Sequence, residues 1–276
     1  MCQRKMSISF NRNGSQVLFE SFIGADPENL NEKKNEFKNH CLTRDEAELL
    51  KVELKKDSLD FFYNGILSFA EGIDASFQKR FSWATIELYY SLYYLIRASM
   101  ASKGIAMLRC KSMYRLFARE GEKPYSKGNK NYNTTHEGTI NHYKDLFGLS
   151  DRLLSNNIED DDVYEWMMNA REIVNYRSAS FSEPGCLEIW EYFSKSIDEG
   201  RFTEILNLLE NDSYVMCFQE EYAVIAIPIK RLQQTIEDLL SADLLSGFSE
   251  KRLNMIKKIM KYENRKLDII PQLFLT

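Results

Sequence analysis

The chain has 276 residues, of which 44% are hydrophobic and 28% are charged, a balance that excludes a largely disordered protein. Its 36 basic and 41 acidic side chains give a net charge of −5, which argues against a surface that binds nucleic acid over its whole extent but leaves local basic patches open. The five cysteines lack the spacing of a zinc finger or a disulfide framework, so we expect free thiols in a reducing cytoplasm.

Signals for secretion and membrane insertion are weak in the sequence pattern. The first residues lack the apolar run of a signal peptide, and no stretch reaches the roughly 18 uninterrupted apolar residues of a membrane span. Only five prolines and twelve glycines accompany many leucines, glutamates and lysines, which favours helices. The sequence therefore predicts a mainly α, cytoplasmic protein that does not contact a membrane.

Residues 1–42 predict an N-terminal β-hairpin followed by a polar connection. Ile8 and Phe10 alternate with polar residues, and an Asn-Gly pair at positions 13 and 14 is a turn signal. We expect the hairpin to occupy residues 5–23.

The following segments predict helices that pack as a bundle. Thr43 and Glu46 match a capping box, so we expect a helix from there to about residue 56, and a second helix over residues 59–73. A third helix begins near Ser82 and ends at Gly104. This third helix is apolar on most sides, which is typical of the central helix of a bundle.

Further along, a shorter helix is predicted over residues 107–119, a long polar loop over 120–138 and another helix over 139–155. The acidic run at 159–162 fits the N-terminus of the next helix, where carboxylates face the positive end of the dipole. That helix extends to about residue 177, and residues 186–197 again look helical.

The character of the sequence then changes. Residues 214–229 are rich in Val, Ile, Tyr and Phe and predict two strands around a polar turn, followed by a helix over 230–241. Ser249 is the expected N-cap of a last helix. We therefore divide the chain into an N-terminal region to residue 42, a helical bundle over 43–198 and a small β/α region over 199–276, and the two predicted hairpins could pair in one mixed sheet.

Three segments of the predicted bundle resemble the HEPN family. They are DFFYNGILSFAEG, the aromatic-rich WATIELYYSLYYLIRASMASKG, and AREIVNYR with its tail SASFSEP, and together they span about residues 58–185. The resemblance implies a HEPN-like helical bundle. In active members, an Arg-x(4–6)-His motif on a late helix, paired across a dimer, cleaves RNA without a metal.

The resemblance places Arg171 at the motif's arginine, but the histidine is missing. Its place is taken by Asn175, Tyr176 or Arg177, and no histidine follows His142. The imidazole would move the proton while the guanidinium stabilises the phosphorane charge, so the departure falls on the proton carrier. The resemblance therefore implies the fold and not the nuclease activity.

Two sets of polar residues remain candidates for an active site. Arg171, Asn175 and Ser178 share a helix face by their spacing, either as the remnant of an RNA site or as a structural arginine in a groove. His136 or His142 could supply the missing base, although a loop histidine and an unrelated helix histidine explain them as well. No third metal ligand has a suitable spacing and no nucleotide-binding glycine motif occurs, so we predict neither a metal nor a cofactor.

The segment from Lys103 to Lys130 is strongly basic, with eight lysines and arginines against two glutamates. If the segment is helical, Lys111, Arg115 and Arg119 form one stripe. Such a stripe suits a phosphate-rich ligand, an acidic partner protein or simply a solvated face. The candidate binding residues here are Lys111, Arg115, Arg119, Lys123, Lys127 and Lys130.

A second basic stretch lies on the last predicted helix. Its candidate residues are Lys257, Lys258 and Lys261, which alternate with apolar side chains that should pack against the protein. The four tyrosines Tyr89, Tyr90, Tyr93 and Tyr94 resemble a stacking box, but their spacing on a central helix favours core and groove positions.

These observations favour a non-catalytic, HEPN-like accessory or scaffold subunit of a multi-protein bacterial antiviral defence complex. Its expected partners are the nuclease or ATPase subunits of that complex, with nucleic acid contacted through the basic segments. One alternative is a metal-independent ribonuclease toxin that combines Arg171 with His136 or His142. A third hypothesis is an antitoxin-like regulatory protein that binds a toxin through the acidic edge at 159–165.

Overall fold

The computed structural model describes residues 12–261, which form a mainly α fold and confirm the predicted fold class. The helices are α1 Gly14–Phe22, α2 Lys34–Asn39, α3 Arg44–Phe77, α4 Phe81–Ser102, α5 Thr135–Phe147, α6 Val163–Glu172, α7 Glu191–Asp198, α8 Phe202–Asn211, α9 Glu220–Ser241 and α10 Glu250–Met260. Two antiparallel hairpins consist of β1 Ile105–Cys110 with β2 Ser112–Phe117, and of β3 Asn157–Ile158 with β4 Asp161–Asp162. Within this part of the chain, no helix is long and apolar enough to cross a bilayer.

Helices α3 and α4 form an antiparallel pair at the centre of the molecule. Gly65 and Gly72 of α3 let the backbones approach closely, because a Cβ at either position would lie 2.8 Å from the side chain of Leu95 or Leu88 on α4. Nearly every apolar side chain of α4 is buried, and α9 also packs on α4. The predicted central helix, its apolar character and its end before Gly104 are therefore confirmed.

The predicted pair of helices over residues 43–73 is a single 34-residue helix, α3. Its N-terminus has the predicted capping box between Thr43 and Glu46. The polar residues after position 56 do not break the helix because they make tertiary contacts. Asp57 accepts hydrogen bonds from the amides of Gly14 and Ser15, and Ser58 donates one to a carbonyl of α4.

The predicted N-terminal hairpin is wrong where the structure describes it. The Asn-Gly pair begins α1 instead of a turn, because the buried carboxylate of Asp57 satisfies the first amides of that helix. Phe19 of α1 is fully buried in the core. The proposed first strand, with Ile8 and Phe10, lies outside the described residues.

The helix predicted over 107–119 is also wrong, because this segment forms the hairpin β1–β2. The chain leaves α4 through Gly104 at a φ of 73° and turns back at Lys111, whose φ of 63° links the two strands. Cations spaced four residues apart are compatible with a helix and with a strand. The packing of β1 on α4 selects the strand. Lys111, Arg115 and Arg119 consequently do not form a helical stripe.

The two strands predicted over 214–229 are a short 3₁₀ turn and the first half of α9. The helix is buried on all sides between positions 223 and 232, so its Val and Ile residues give no helical periodicity in the sequence. The predicted β/α region is therefore helical over the described residues after 198, and no mixed sheet forms there. The hydrophobic core continues across the predicted boundary at 198/199, which itself stays a prediction.

The remaining elements agree closely with the sequence. The acidic run ends at Asp162, whose side chain caps α6 by accepting from two backbone amides. Helix α6 continues into a π-helical turn over Ile173–Arg177. Helix α5 begins at Thr135, four residues earlier than predicted, and Ser249 precedes α10 as expected. The four cysteines in the described chain are all unpaired.

Candidate functional site

Arg171 lies in the last turn of α6, directly before the π-helical turn. Its side chain is only 7% exposed, and its guanidinium carbon lies 4.7 Å from the ring centre of Tyr89 and 5.6 Å from that of Tyr176. The Nε atom has no hydrogen-bond partner, and no carboxylate in the described residues lies within ion-pair distance. A buried cation without an acid partner is expensive in a core and is suited to an anionic ligand.

His136, in the first turn of α5, contacts the same tyrosine. Its Nδ1 lies 3.1 Å from the hydroxyl of Tyr89, and its ring centre lies 4.3 Å from that of Tyr93. The structure therefore brings Arg171 and His136 together around Tyr89, although they are 35 positions apart in the sequence. We refer to Arg171, His136, Tyr89 and Tyr93 as the Arg171 cluster.

Burial and the neighbouring arginines determine the protonation of the cluster. Burial, followed by the charges of Arg171 and Arg97, lowers the pKa of His136 to about 4. Burial raises the pKa of Tyr89, with the Arg171 charge acting against it. Near pH 7 the imidazole is thus neutral and the phenol is protonated, so His136 is a hydrogen-bonding group rather than a proton carrier titrating near neutrality.

The other predicted members of the site lie apart from this cluster. His142 is fully buried, with Nε2 3.2 Å from the carbonyl oxygen of Met113 and its ring against Tyr132. Burial lowers its pKa to about 4, and it is a core histidine. Asn175 is half-buried in the π-helical turn, whereas Ser178 is exposed, so Ser178 does not share the burial of Arg171.

A cavity of about 440 Å³ has a charged lining that is basic, although no residue of the Arg171 cluster itself lines it. Arg97, Arg109 and Lys111 line it, as does Thr135, the neighbour of His136. Arg12 also lines it but forms an ion pair with Glu20 at 2.6 Å. Among the described residues that line this basic cavity, none carries a carboxylate.

Arg97 connects the basic cavity to the cluster. Its guanidinium lies 4.0 Å from the ring centre of Phe61 and 5.8 Å from that of Tyr93, and its Nε has no hydrogen-bond partner. Sequence reasoning does not identify Arg97, because an arginine that ends an apolar helical run looks like a solvated end. The available signal was its spacing of four from Tyr93, which places both on one face of α4.

The predicted basic residues of the 103–130 segment separate in the structure. Lys111 lines the basic cavity, whereas Arg115 and Lys127 lie 3.8 and 2.5 Å from the carboxylate of Asp145. Arg115 also stacks on Tyr125. Arg119, Lys123 and Lys130 are exposed and do not lie on one common face.

Helix α10 uses part of its basic side to dock on α3. Lys261 lies 3.3 Å from Asp74, and Arg252 lies 2.7 Å from Asp60. Lys257 is half-buried and Lys258 is exposed. The two basic stretches do not join into one surface.

The acidic edge at 159–165 is largely used within the protein. Asp161 accepts a hydrogen bond from Asn169 at 2.6 Å, Asp162 caps α6, and Glu165 pairs with Lys144 at 2.6 Å. No particular contact favours a toxin-binding role for this edge. The described residues also contain no group of three histidine, cysteine or acidic side chains that could hold a metal ion.

The four tyrosines of α4 divide into two pairs. Tyr89 and Tyr93 are buried in the cluster, as the core interpretation predicts, whereas Tyr90 and Tyr94 are half-buried and stack on each other at 6.2 Å. The helix therefore presents aromatic rings to the core and to a groove.

No protein-family model, curated protein or solved structure matches this chain. The resemblance to the HEPN family therefore stays a prediction that rests on the three sequence segments.

Proposed function

We propose that the protein is a non-catalytic accessory subunit that binds the phosphodiester backbone of RNA at the Arg171 cluster and the adjoining basic cavity. The observation that carries this proposal is a cavity lined by Arg97, Arg109 and Lys111, which Arg97 links to the Arg171 cluster because its guanidinium lies 5.8 Å from the ring centre of Tyr93. Phosphate oxygens would accept hydrogen bonds from the side chains of Arg97, Arg109 and Lys111 that line the cavity.

Charge and shape support a nucleic-acid ligand. Arginine guanidinium groups bind phosphate in a planar, two-point geometry, and aromatic rings beside them stack on bases. Arg171 lies 5.6 Å from the ring centre of Tyr176, which is exposed, so a cation and a ring able to stack on a base are adjacent there. The net charge of −5 makes this basic region a local feature rather than a property of the whole protein.

The protonation state of His136 at neutral pH favours binding over catalysis. With a pKa of about 4, the imidazole is a weak base at neutral pH, and its Nδ1 is already engaged with the Tyr89 hydroxyl. The place of this subunit in a cytoplasmic antiviral complex, beside a nuclease or ATPase partner, rests on the family resemblance alone.

Fluorescence anisotropy with a labelled single-stranded RNA of about ten nucleotides tests the binding proposal. We expect binding to weaken between about 50 and 200 mM salt, with a slope that reports the number of phosphates neutralised. Replacing Arg109 and Lys111 by glutamine should reduce that slope by about 1.4, because two cations no longer neutralise phosphate and each contact contributes about 0.7 on a single strand.

A matched control removes the same amount of charge elsewhere. Lys251 and Lys258 are exposed on α10, and replacing both by glutamine should leave the affinity and the slope nearly unchanged. Equal losses of affinity in the two double variants would contradict a specific site, and a loss confined to the α10 variant would move the RNA interface to that helix.

A metal-independent ribonuclease is the second candidate, because His136 and Arg171 meet around Tyr89. A bound phosphodiester would offset the charges of Arg171 and Arg97 and so raise the pKa of His136 toward a range suited to a general base. Incubating labelled RNA with the purified protein in EDTA separates the two candidates. Cleavage that is lost in both Arg171→Gln and His136→Gln would establish the ribonuclease, whereas intact RNA bound by the protein supports the accessory role.

A further inference from the structure

One face of α4 carries aromatic rings that are exposed or only partly buried against the core. The spacing of a single helical face is shared by positions 83, 87, 90, 94 and 97. This face therefore has Trp83, Tyr90 and Tyr94 in line with Arg97. Trp83 is 47% exposed, and the two tyrosines are half-buried. At the helical rise of about 1.5 Å per residue, this face is about 21 Å long.

Two further exposed rings extend the face beyond the start of α4. Phe181, 44% exposed, packs edge-on against Trp83 with ring centres 5.4 Å apart. Tyr176 is 75% exposed in the π-helical turn, which contacts α4 and places the ring beside the Arg171 guanidinium. Trp83, Tyr90, Tyr94, Tyr176 and Phe181 together are called the aromatic face.

The Trp83–Phe181 pair is held in a defined position. The carboxylate of Glu183 accepts hydrogen bonds from the amide and the hydroxyl of Ser82, at 2.6 and 2.7 Å. This contact fixes the segment around Phe181 against the first turn of α4. The exposed rings are therefore ordered before any ligand arrives, which lowers the entropy lost on binding.

We propose that the aromatic face stacks the unpaired bases of a single-stranded RNA whose phosphates contact Arg171 and the basic cavity. The inference rests on the proposed RNA-binding function and adds that the ligand is single-stranded. Two cations adjoin the face: Arg171 contacts Tyr176 and, near the middle of α4, Tyr89, whereas Arg97 lies at the end of the face and lines the basic cavity. This arrangement matches single-strand binding sites, where cations follow the backbone and aromatic rings stack on successive bases.

The chemistry favours RNA over a protein partner. A protein that covered five aromatic rings would also have to neutralise Arg171 and the cations of the cavity, whereas a nucleic acid supplies bases and phosphates in a fixed alternation. Glu87 is the acidic member of the same face of α4. Its carboxylate accepts a hydrogen bond from Ser68 and lies near Glu71, so this part of the face repels phosphate and would favour base amino groups as hydrogen-bond donors.

A comparison of two RNAs tests the proposal on the unaltered protein. Both have about ten nucleotides and the same phosphates, but in one of them abasic sugars replace the central nucleotides. We expect the intact strand to bind at least fivefold more tightly, and up to about 150-fold per stacked base. Equal affinity for both strands would overturn base stacking and leave the phosphate-binding proposal intact, and binding of neither strand would overturn both.

Variants then locate the bases on the aromatic face. Trp83→Leu and Tyr176→Leu should each weaken binding of the intact strand by about fivefold or more and leave the abasic strand unaffected. Tyr125→Leu, which removes an exposed ring on the β2 side, is the matched control and should change neither affinity. A fully paired duplex that binds as tightly as the single strand, or a Tyr125→Leu effect equal to that of Trp83→Leu, would contradict the proposal.

Discussion

Two buried arginines show how this protein treats a charge in its interior. Arg231 of α9 is 1% exposed and donates hydrogen bonds to Tyr143, Ser99 and Thr235 at 2.5, 2.8 and 3.2 Å. The carboxylate of Asp151 lies 3.8 Å away. Arg171 is buried to a similar degree but contacts aromatic rings and has an unpartnered Nε. The first arrangement pairs the guanidinium with hydroxyls and carboxylates, whereas the second leaves it without an acid partner among the described residues.

Asp151 explains why the Arg231 site is complete. Its side chain is 1% exposed and accepts hydrogen bonds from Tyr143, Tyr164 and Gln234, as well as from the backbone amide of Leu153. Arg231 and Asp151 therefore connect α9 to α4, α5 and the segment after α5. A buried polar network in which the strong donors and acceptors are paired fixes the packing of its helices.

The largest expected effect comes from breaking the complete site. Arg231→Met should lower the free energy of unfolding by about 3–5 kcal/mol, because it leaves the buried Asp151 carboxylate without its cation. Urea unfolding measures this change. The double variant with Asp151→Asn should recover part of it, and a decrease below about 1 kcal/mol for Arg231→Met alone would show that the network contributes little.

Arg171→Met should behave in the opposite way. We expect the free energy of unfolding to change by about 1 kcal/mol or less, because removal of an unpaired buried charge offsets removal of the cation–π attraction. RNA affinity should fall by about tenfold or more, since a hydrogen bond to a charged group contributes about 1.5–3 kcal/mol. Fluorescence anisotropy measures the RNA affinity and urea unfolding measures the free energy of unfolding of the same preparations. A decrease in stability equal to that of Arg231→Met would make Arg171 a structural residue.

Two tyrosine hydroxyls offer a smaller version of the same contrast. Tyr143→Phe removes an acceptor from Arg231 and a donor to Asp151, so we expect the free energy of unfolding to fall by about 1.5–3 kcal/mol. Tyr89→Phe removes the hydrogen bonds of its hydroxyl with His136 and Arg171 but leaves no buried carboxylate short of a donor, so it should cost less, about 0.5–1.5 kcal/mol. Thermal or urea unfolding of the two variants ranks them, and the reverse order would contradict the contrast.

The smallest effect is a change in the titration of His136. Its folded pKa of about 4 lies below the ordinary value of 6.5, so the unfolded chain takes up a proton first and stability falls as the pH drops from 6.5 toward 4. In Arg171→Gln, the His136 pKa should rise above 4 and this decrease in stability at acid pH should shrink. His142, whose low pKa has no contribution from Arg171, is the internal control in the same NMR titration. Equal shifts of both histidines would indicate a general loosening of the fold instead.

Local signals in the sequence were sufficient for much of the helical framework. The capping box at Thr43, the helix stop before Gly104 and the acidic cap at Asp162 appear as predicted, because each depends on interactions within a few residues of the chain. The apolar surface of α4 likewise predicted its central position. For the candidate site, Arg171 and His136 were identified and their combination was one of the hypotheses, but the choice of His136 over His142 and the role of Tyr89 between them depended on the tertiary structure.

The errors occur where burial removes the periodic signal. The start of α9 is apolar on every side and therefore resembles a strand, while the cation spacing in β1–β2 resembles a helix. In both segments, packing against α4 selects the structure. The role of Arg97 was missed for a related reason, because its basic cavity combines α4 with the β1–β2 hairpin and the N-terminal segment.

The amino-acid sequence alone determined a mainly helical chain, its principal helix ends and a buried aromatic helix at the centre, because capping and hydrophobic burial act through neighbouring residues. Tertiary structure alone decided that Arg231 is fully paired and Arg171 is not, because the partners of a buried charge come from helices distant in the chain. That difference in partners separates an arginine in a paired network from one that lies against aromatic rings.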